Sequence, residues 1–342
     1  MHRPLRLTID RSAIQSNWRW LQERAAAPAG AAVKADGYGL GAREAAEALL
    51  EAGCRDFFVS TWTEAETLGN LPPEISLIVL HGVGPDDVEA ALRGPARPCL
   101  NTVEQVARWK EIARERPCDV MVDTGMNRLG LRPTEIDAVA GLSIDTLHSH
   151  LACADEDSAL NQMQLERFRA VASAVPARRY AMANSAGIGL GSDFSFDLVR
   201  PGISIYGGVQ RPEFDGHIRQ VARVEAQVVQ RRTIPQGESC GYGATFVAKK
   251  DTEAAILNIG YADGYLRGFS CHGSAFAGEY ALPVLGRISM DLIAVACDAT
   301  PGLREGEWVE IDYDLPSASK QSGVSQYELL TCLGERFERR WA

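Results

Sequence analysis

Over its first two hundred or so residues the chain alternates between short apolar runs and amphipathic stretches of helical period. The apolar runs are AAVKA (31–35), DFFVST (56–61), SLIVLH (76–81), PCLN (98–101), CDVMVDT (118–124), IDTLHSHLA (144–152), RYAMANS (179–185) and ISIYG (203–207). Between them lie patterns such as AREAAEALLEAG, TVEQVARWKEIARER and ALNQMQLERFRAVASAV. Strands that recur between helices of this length imply parallel βαβ units, because a parallel return needs a crossover. About eight repeats in about two hundred residues fit a (β/α)8 TIM barrel better than an open doubly wound sheet. After about residue 215 the pattern changes: RQVARVEAQVVQRRTI, EAAILNIGYADGY, YALPVLGRISMDLIAVAC and EWVEID alternate apolar and polar residues. That is the signature of an antiparallel β domain with one buried face. LRLTID near the N-terminus is also strand-like, and Asp10 is placed to cap a helix over RSAIQSNWRWLQERA. The sequence therefore predicts an α/β chain of two domains. A barrel covers 9–214, and a mostly antiparallel β domain combines 215–342 with an N-terminal strand at 1–8.

Composition narrows the partners. The 342 residues are 46% hydrophobic and 23% charged, so a chain this long can bury a large core without staples. The net charge of −10, from 35 Lys+Arg against 45 Asp+Glu, argues against nucleic acid or an anionic membrane as the main partner. No apolar run approaches the ~20 residues that span a bilayer. MHRPLRLTIDRSAIQ has no apolar segment of the signal-peptide kind, so a cytoplasmic location is expected. The eight cysteines are scattered without a CxxC pair, and the His148–His150 pair has no nearby cysteine or acidic partner, so no metal site is expected.

Only five basic residues are lysines, and Lys34 stands apart from the others. It ends the first predicted strand, at the face where barrel enzymes place their sites. In apolar surroundings its ammonium form is disfavoured, and a free amine can attack a carbonyl to form a Schiff base. A lysine snorkelling to water is the plainer alternative for this position alone. The next residues, Ala35-Asp36-Gly37-Tyr38-Gly39-Leu40-Gly41, form a glycine-rich loop able to present N–H groups to an anion. A dinucleotide fingerprint is excluded by the glycine spacing and by the bulk of Lys34 and Tyr38. Asn184-Ser185 and Arg200-Pro201-Gly202 are further candidate anion binders, with a turn and a surface ion pair as the simpler readings. Asp123-Thr124-Gly125-Met126-Asn127-Arg128 is another strand end, with an arginine suited to a carboxylate.

VKADGYGLG, VDTGMNRLGLRP, HSHLACADE, ANSA, VRPGISIYGG, CGYGATF, NIGYADGY and GRISMD occur in this order across roughly residues 30–310. This set resembles the alanine racemases, pyridoxal-phosphate-dependent enzymes of fold-type III. The resemblance implies that Lys34 carries pyridoxal phosphate and that Tyr38, Asn184, Ser185 and the backbone of Gly202 and Ile203 lie at its phosphate. It places Arg200 at the pyridine nitrogen and His150 behind the ring. It makes Tyr242 the second catalytic base, contributed by the partner subunit of a homodimer. Arg128 would help hold the substrate carboxylate and the cofactor's ring oxygen, Met290 with Asp291 beside it would line the carboxylate site from the second subunit, and Tyr261 would narrow the substrate entrance. The implied reaction is two-base racemisation of L- and D-alanine, with Lys34 and Tyr242 on opposite faces, supplying D-alanine for peptidoglycan.

The match has departures. Many family members carry a carbamylated lysine where this chain has Met121, which leaves Arg128 to find another anion, such as chloride, or to stand less constrained. Leu40 replaces a frequent histidine, and a phosphate-contacting tyrosine near the C-terminus has no counterpart around Gly334-Glu335. The alternatives are a racemase for serine or a broader set of amino acids, a non-catalytic pyridoxal-phosphate carrier, and a decarboxylase. Tyr242 argues against the carrier. Arg200, where a decarboxylase is expected to place an acid, argues against the last.

Overall fold

The computed structural model describes residues 3–342, so the first two residues of the predicted strand 1–8 lie outside it. The chain divides into two compact units: Ile14–Arg219, and the N-terminal residues up to Ala13 together with Gln220–Ala342.

The first unit is a parallel barrel. Its strands are β2 (Ala31–Ala32), β3 (Asp56–Val59), β4 (Ser76–Val79), β5 (Arg97–Leu100), β6 (Cys118–Met121), β7 (Ile144–His148) and β8 (Arg179–Ala181), each hydrogen-bonded to the next in chain order. DFFV and CDVM are buried along their whole length, which is why these strands read as continuous apolar runs. The eighth place is taken by a short extended segment. Leu198 pairs in parallel with Ala181, and Val199 with Ala29, so the ring closes between β8 and β2. The Arg200 N–H donates to the Ala183 carbonyl (2.8 Å) and Ala32 N–H to that of Pro201 (2.9 Å), carrying the closure two residues further.

One predicted strand is corrected. ISIYG is not the last strand, because Ile203–Tyr206 form a 3-10 turn. Gly202 (φ −135°, ψ −93°) leaves the extended path and Gly207 (φ 99°) reverses it. The run is apolar because Ile203, Ile205 and Tyr206 are buried, and burial alone does not choose between strand and turn.

The second unit is an antiparallel barrel built on one long strand, β9 (Ala222–Ile234). Beyond it come β10 (Ser239–Cys240), β11 (Phe246–Val247), β12 (Thr252–Leu257), β13 (Ser274–Ala277), β14 (Tyr280–Leu285), β15 (Ile293–Ala296), β16 (Trp308–Ile311) and β17 (Glu338–Trp341). The order β12-β15-β14-β13-β16-β9, with β9 also paired to β12, closes a ring of strands. β1 (Leu5–Ile9) pairs antiparallel with β9, and β17 adds to β1 in parallel. The expected cap is present, since Asp10 Oδ1 accepts the Ala13 N–H at 2.8 Å.

Candidate active site

Lys34 leaves β2 into an unusual backbone. Ala35 (φ 51°, ψ 48°), Asp36 (51°, 52°) and Gly37 (60°, 43°) are left-handed, and Tyr38 follows with φ 57°. For residues bearing a β-carbon this conformation costs roughly 1–2 kcal/mol each, so the turn persists only if its surroundings hold it. They do so at several points. Gly37 N–H donates to Val33 O (3.0 Å), Gly39 N–H to Ala35 O (2.8 Å) and Gly41 N–H to Asp36 O (2.8 Å). Asp36 Oδ1 accepts from Ala42, the first residue of the helix Ala42–Ala52, at 2.8 Å. The Ala35 N–H donates to Glu64 Oε1 at 2.9 Å. Tyr38 points inward and stacks on Tyr206, with ring centroids 4.8 Å apart, and the Tyr206 hydroxyl donates to Ala32 O at 3.0 Å.

Opposite Tyr38 lies a cradle of small groups. Ser185 Oγ accepts the N–H of Gly202 (2.8 Å) and of Ser204 (3.3 Å). A β-carbon on Gly202 would run into the Tyr38 hydroxyl. The Ser204 hydroxyl is fully buried and has no hydrogen-bond partner among the described residues. Asn184 uses its side-chain oxygen on the Gly187 N–H (2.9 Å), closing the turn that follows. Ile203 is buried beside the cradle.

The charges around this cradle are mostly positive. Arg200, on the segment that closes the barrel, is 7% exposed, donates to the Ser149 carbonyl and lies 5.8 Å from the Phe58 ring centroid. It has no ion pair, and its Nε has no partner, among the described residues. Burial pushes its guanidinium down to about 10, against opposing pulls from Cys99 and Asp119. Asp119 instead meets His148 Nε2 at 2.8 Å, both fully buried. His150 is pushed down to about 3 by burial, then by the charges of Arg200, Arg128 and Lys34, and so is neutral. The Lys34 amine is lowered by burial first, then by Arg128 and Arg200, with Glu64 pulling the other way. A lysine in such a setting is not simply snorkelling to water. Arg128 comes from a loop shaped by Asp123 Oδ1, which accepts from Gly125 (2.9 Å) and Asn127 (3.1 Å). Met121 is buried behind that loop and can offer no charge.

The remaining predicted residues belong to the second unit. Tyr242 is 70% exposed, on a turn between the left-handed Gly241 and Gly243. Tyr261 lies under the Arg267 guanidinium, 5.0 Å from its ring centroid. Its N–H donates to Ser289 O and that of Ala262 to Met290 O, both at 3.0 Å, so the loops bearing Tyr261 and Met290–Asp291 are joined. Arg336 grips Asp263 through both oxygens (2.6 and 2.8 Å) and reaches Asp291 (2.7 Å). Lys34, Tyr38, Arg128, His150, Asn184, Ser185, Arg200, Gly202 and Ile203 thus lie in one unit, and Tyr242, Tyr261, Met290 and Asp291 in the other. Sequence reasoning misses Glu64, Ser204, Tyr206 and Arg336. In the sequence Glu64 shows only as the fourth residue of a T-x-x-E helix cap.

A parallel barrel with a lysine amine at a strand end, lowered by burial and by Arg128 and Arg200, and an antiparallel β barrel after it in the chain, defines a fold-type III pyridoxal-phosphate enzyme. The alanine racemase N-terminal domain family matches residues 9–210 and the alanine racemase C-terminal domain family residues 221–341, so the chain belongs to the alanine racemase family. It is 38% identical to the biosynthetic alanine racemase of Agrobacterium fabrum, over 99% of this chain and 94% of that protein. To the alanine racemase of Methylobacterium nodulans it is 40% identical, over 98% and 95%. The crystal structure of alanine racemase from Bartonella henselae with covalently bound pyridoxal phosphate superposes with a TM-score of 0.93 at 36% identity, over 99% of both chains. The residues here fit that cofactor: an unpartnered buried Ser204 hydroxyl, the Tyr38 hydroxyl packed against Gly202 and an arginine with no carboxylate partner answer to its phosphate and ring.

Proposed function

We propose that this chain interconverts L- and D-alanine using pyridoxal phosphate held on Lys34. The observation that carries the reading is the Lys34 amine, lowered by burial and two arginines, beside a buried cradle of N–H and O–H groups. When bound, pyridoxal phosphate supplies the electron sink that acidifies the substrate Cα–H. Lys34 then serves as the base on one face of Cα, where burial and the two arginines disfavour its protonated form. Tyr242, supplied by a second copy of this chain, acts as the base on the other face. Tyr38, Ser185, Gly202, Ile203 and Ser204 hold the phosphate, with Asn184 shaping the turn beside them. Arg200 faces the ring nitrogen. As a cation it cannot accept that nitrogen's proton, nor stabilise a positive charge there as a carboxylate does. This keeps the ring a weak sink and favours return of the proton to Cα. His150, neutral, packs behind the ring without adding charge. Arg128 holds the substrate carboxylate, Met290 with Asp291 beside it lines that site from the second copy, and Tyr261 limits the size of the side chain admitted. The homodimer, a cytoplasmic location and a supply of D-alanine for peptidoglycan belong to the same proposal.

The test is the purified Lys34→Ala variant assayed for D-amino acids from a panel of L-amino acids. Wild type should form D-alanine fastest and show the visible absorbance band of bound cofactor. The variant should lose the band and at least ~1,000-fold of the activity. A variant that keeps both, or a wild type that prefers another amino acid, overturns the corresponding part of the reading.

A further inference from the structure

The left-handed turn that carries Lys34 is tied down from outside at one main-chain donor, the N–H of its first left-handed residue, Ala35. That N–H donates to Glu64 Oε1 at 2.9 Å, across 29 positions of sequence. The other oxygen of the same carboxylate, Oε2, accepts the N–H groups of Ser60 (2.6 Å) and Thr61 (3.4 Å) where β3 ends. Thr61 Oγ1 in turn accepts the Glu64 N–H at 3.2 Å, completing the cap of the helix Trp62–Leu68. A helix cap needs only one carboxylate oxygen. Here the second oxygen reaches the neighbouring strand end and fixes the residue next to Lys34.

We propose that Glu64 is a positioning residue: its carboxylate clamps the left-handed turn to the end of β3 and so fixes where the Lys34 amine points. The proposal rests on the reading of Lys34 as the cofactor lysine. The clamp is charged as well as geometric. Around the Lys34 amine stand Arg128 from the loop after β6, Arg200 from the closing segment, the neutral His150 beyond β7, and Glu64. Among these four, Glu64 alone is negative. Its carboxylate favours a protonated nitrogen at Lys34, against the two arginines.

The experiment compares cofactor-loaded wild type, Glu64→Gln and Glu64→Ala. Three quantities are read: cofactor dissociation on dilution, the pH midpoint of the visible band, and the melting temperature. Glu64→Gln keeps the shape and one acceptor oxygen but no charge. It should shift the midpoint downward by roughly half a unit or more. Glu64→Ala loses both acceptor oxygens, where Glu64→Gln loses one, and should loosen the cofactor about tenfold or more. A role confined to the helix cap would lower the melting temperature of both variants and leave the midpoint of Glu64→Gln where it is in wild type, which overturns the proposal. An unmoved midpoint in Glu64→Gln overturns it even if Glu64→Ala does not fold. Lys34→Ala separates this from the parent reading: if that variant keeps the band, the assignment of Lys34 fails whatever Glu64 does.

Discussion

Gly202 and Tyr38 compete for one volume. A β-carbon on Gly202 would meet the phenolic oxygen first and the ring carbon behind it next. Tyr38 cannot step aside, because its backbone is locked at φ 57° and its ring is stacked on the fully buried Tyr206. Gly202→Ala should therefore destabilise the chain by about 1–3 kcal/mol, the usual range for overpacking a fixed core. Tyr38→Phe removes the oxygen that the new methyl meets first, so the double variant should recover part of that loss. Urea unfolding of the four proteins measures the coupling. Strictly additive losses would mean that the two residues do not contend for the same space. The same pair shows what a sequence conveys at this scale. Lys34, Tyr38, Arg200 and Gly202 are picked out by residue type and motif order. Ser204 is not, because a serine inside ISIYG looks like any other turn residue until its hydroxyl is found buried and unpartnered.

At the scale of elements, burial on both faces favours apolar residues in the parallel strands, so β3, β4 and β6 stand out from the sequence. The same criterion offers ISIYG as a strand and passes over Leu198–Val199, the pair that closes the ring. Hydrophobicity reports burial and not dihedral angles, and the eighth segment is too short to show a period. Nor does the sequence announce five successive residues of positive φ, Ala35 to Gly39: alanine and tyrosine do not favour that region, and the turn is imposed by contacts such as the one from Glu64. In the second unit, Arg336 ties the loops of Tyr261 and Asp291 to the segment before β17. Asp263 is fully buried, and burial raises its carboxyl above the usual range even with Arg336 beside it. Arg336→Gln should cost stability near the lower end of about 3–5 kcal/mol, because the arginine side chain is itself 47% exposed. The sign with pH follows. A carboxyl raised in the folded state binds its proton more tightly there than in the unfolded chain, so it weakens the fold as pH rises through that range. Without Arg336 the carboxyl is raised further. The gap between variant and wild type should therefore be wider at about pH 8 than at about pH 5, and melting curves at the two values decide it. A gap independent of pH would mean that the charge left on Asp263 is not what the arginine offsets.

At the scale of the whole molecule, racemisation requires a base on each face of Cα, and the proposed reading draws those bases from two copies of the chain. Tyr242 and Met290 are 70% and 52% exposed in a single chain, which leaves both open to a second copy. Complementation tests the arrangement more sharply than dilution does. Lys34→Ala and Tyr242→Phe are each expected to be nearly inactive as homodimers. Unfolded together and refolded as an equimolar mixture, half of the dimers carry one chain of each kind. If each site combines Lys34 of one chain with Tyr242 of the other, every mixed dimer holds one site with both bases intact and one with neither. Activity should then return to about a quarter of the wild-type value at the same total protein. If both bases of a site come from the same chain, every mixed dimer holds two sites that each lack one base, and the mixture stays as inactive as its components. A dead mixture, with refolding and mixed-dimer formation verified by mass, rules out the shared site and with it the role of Tyr242 as a base donated by a second copy.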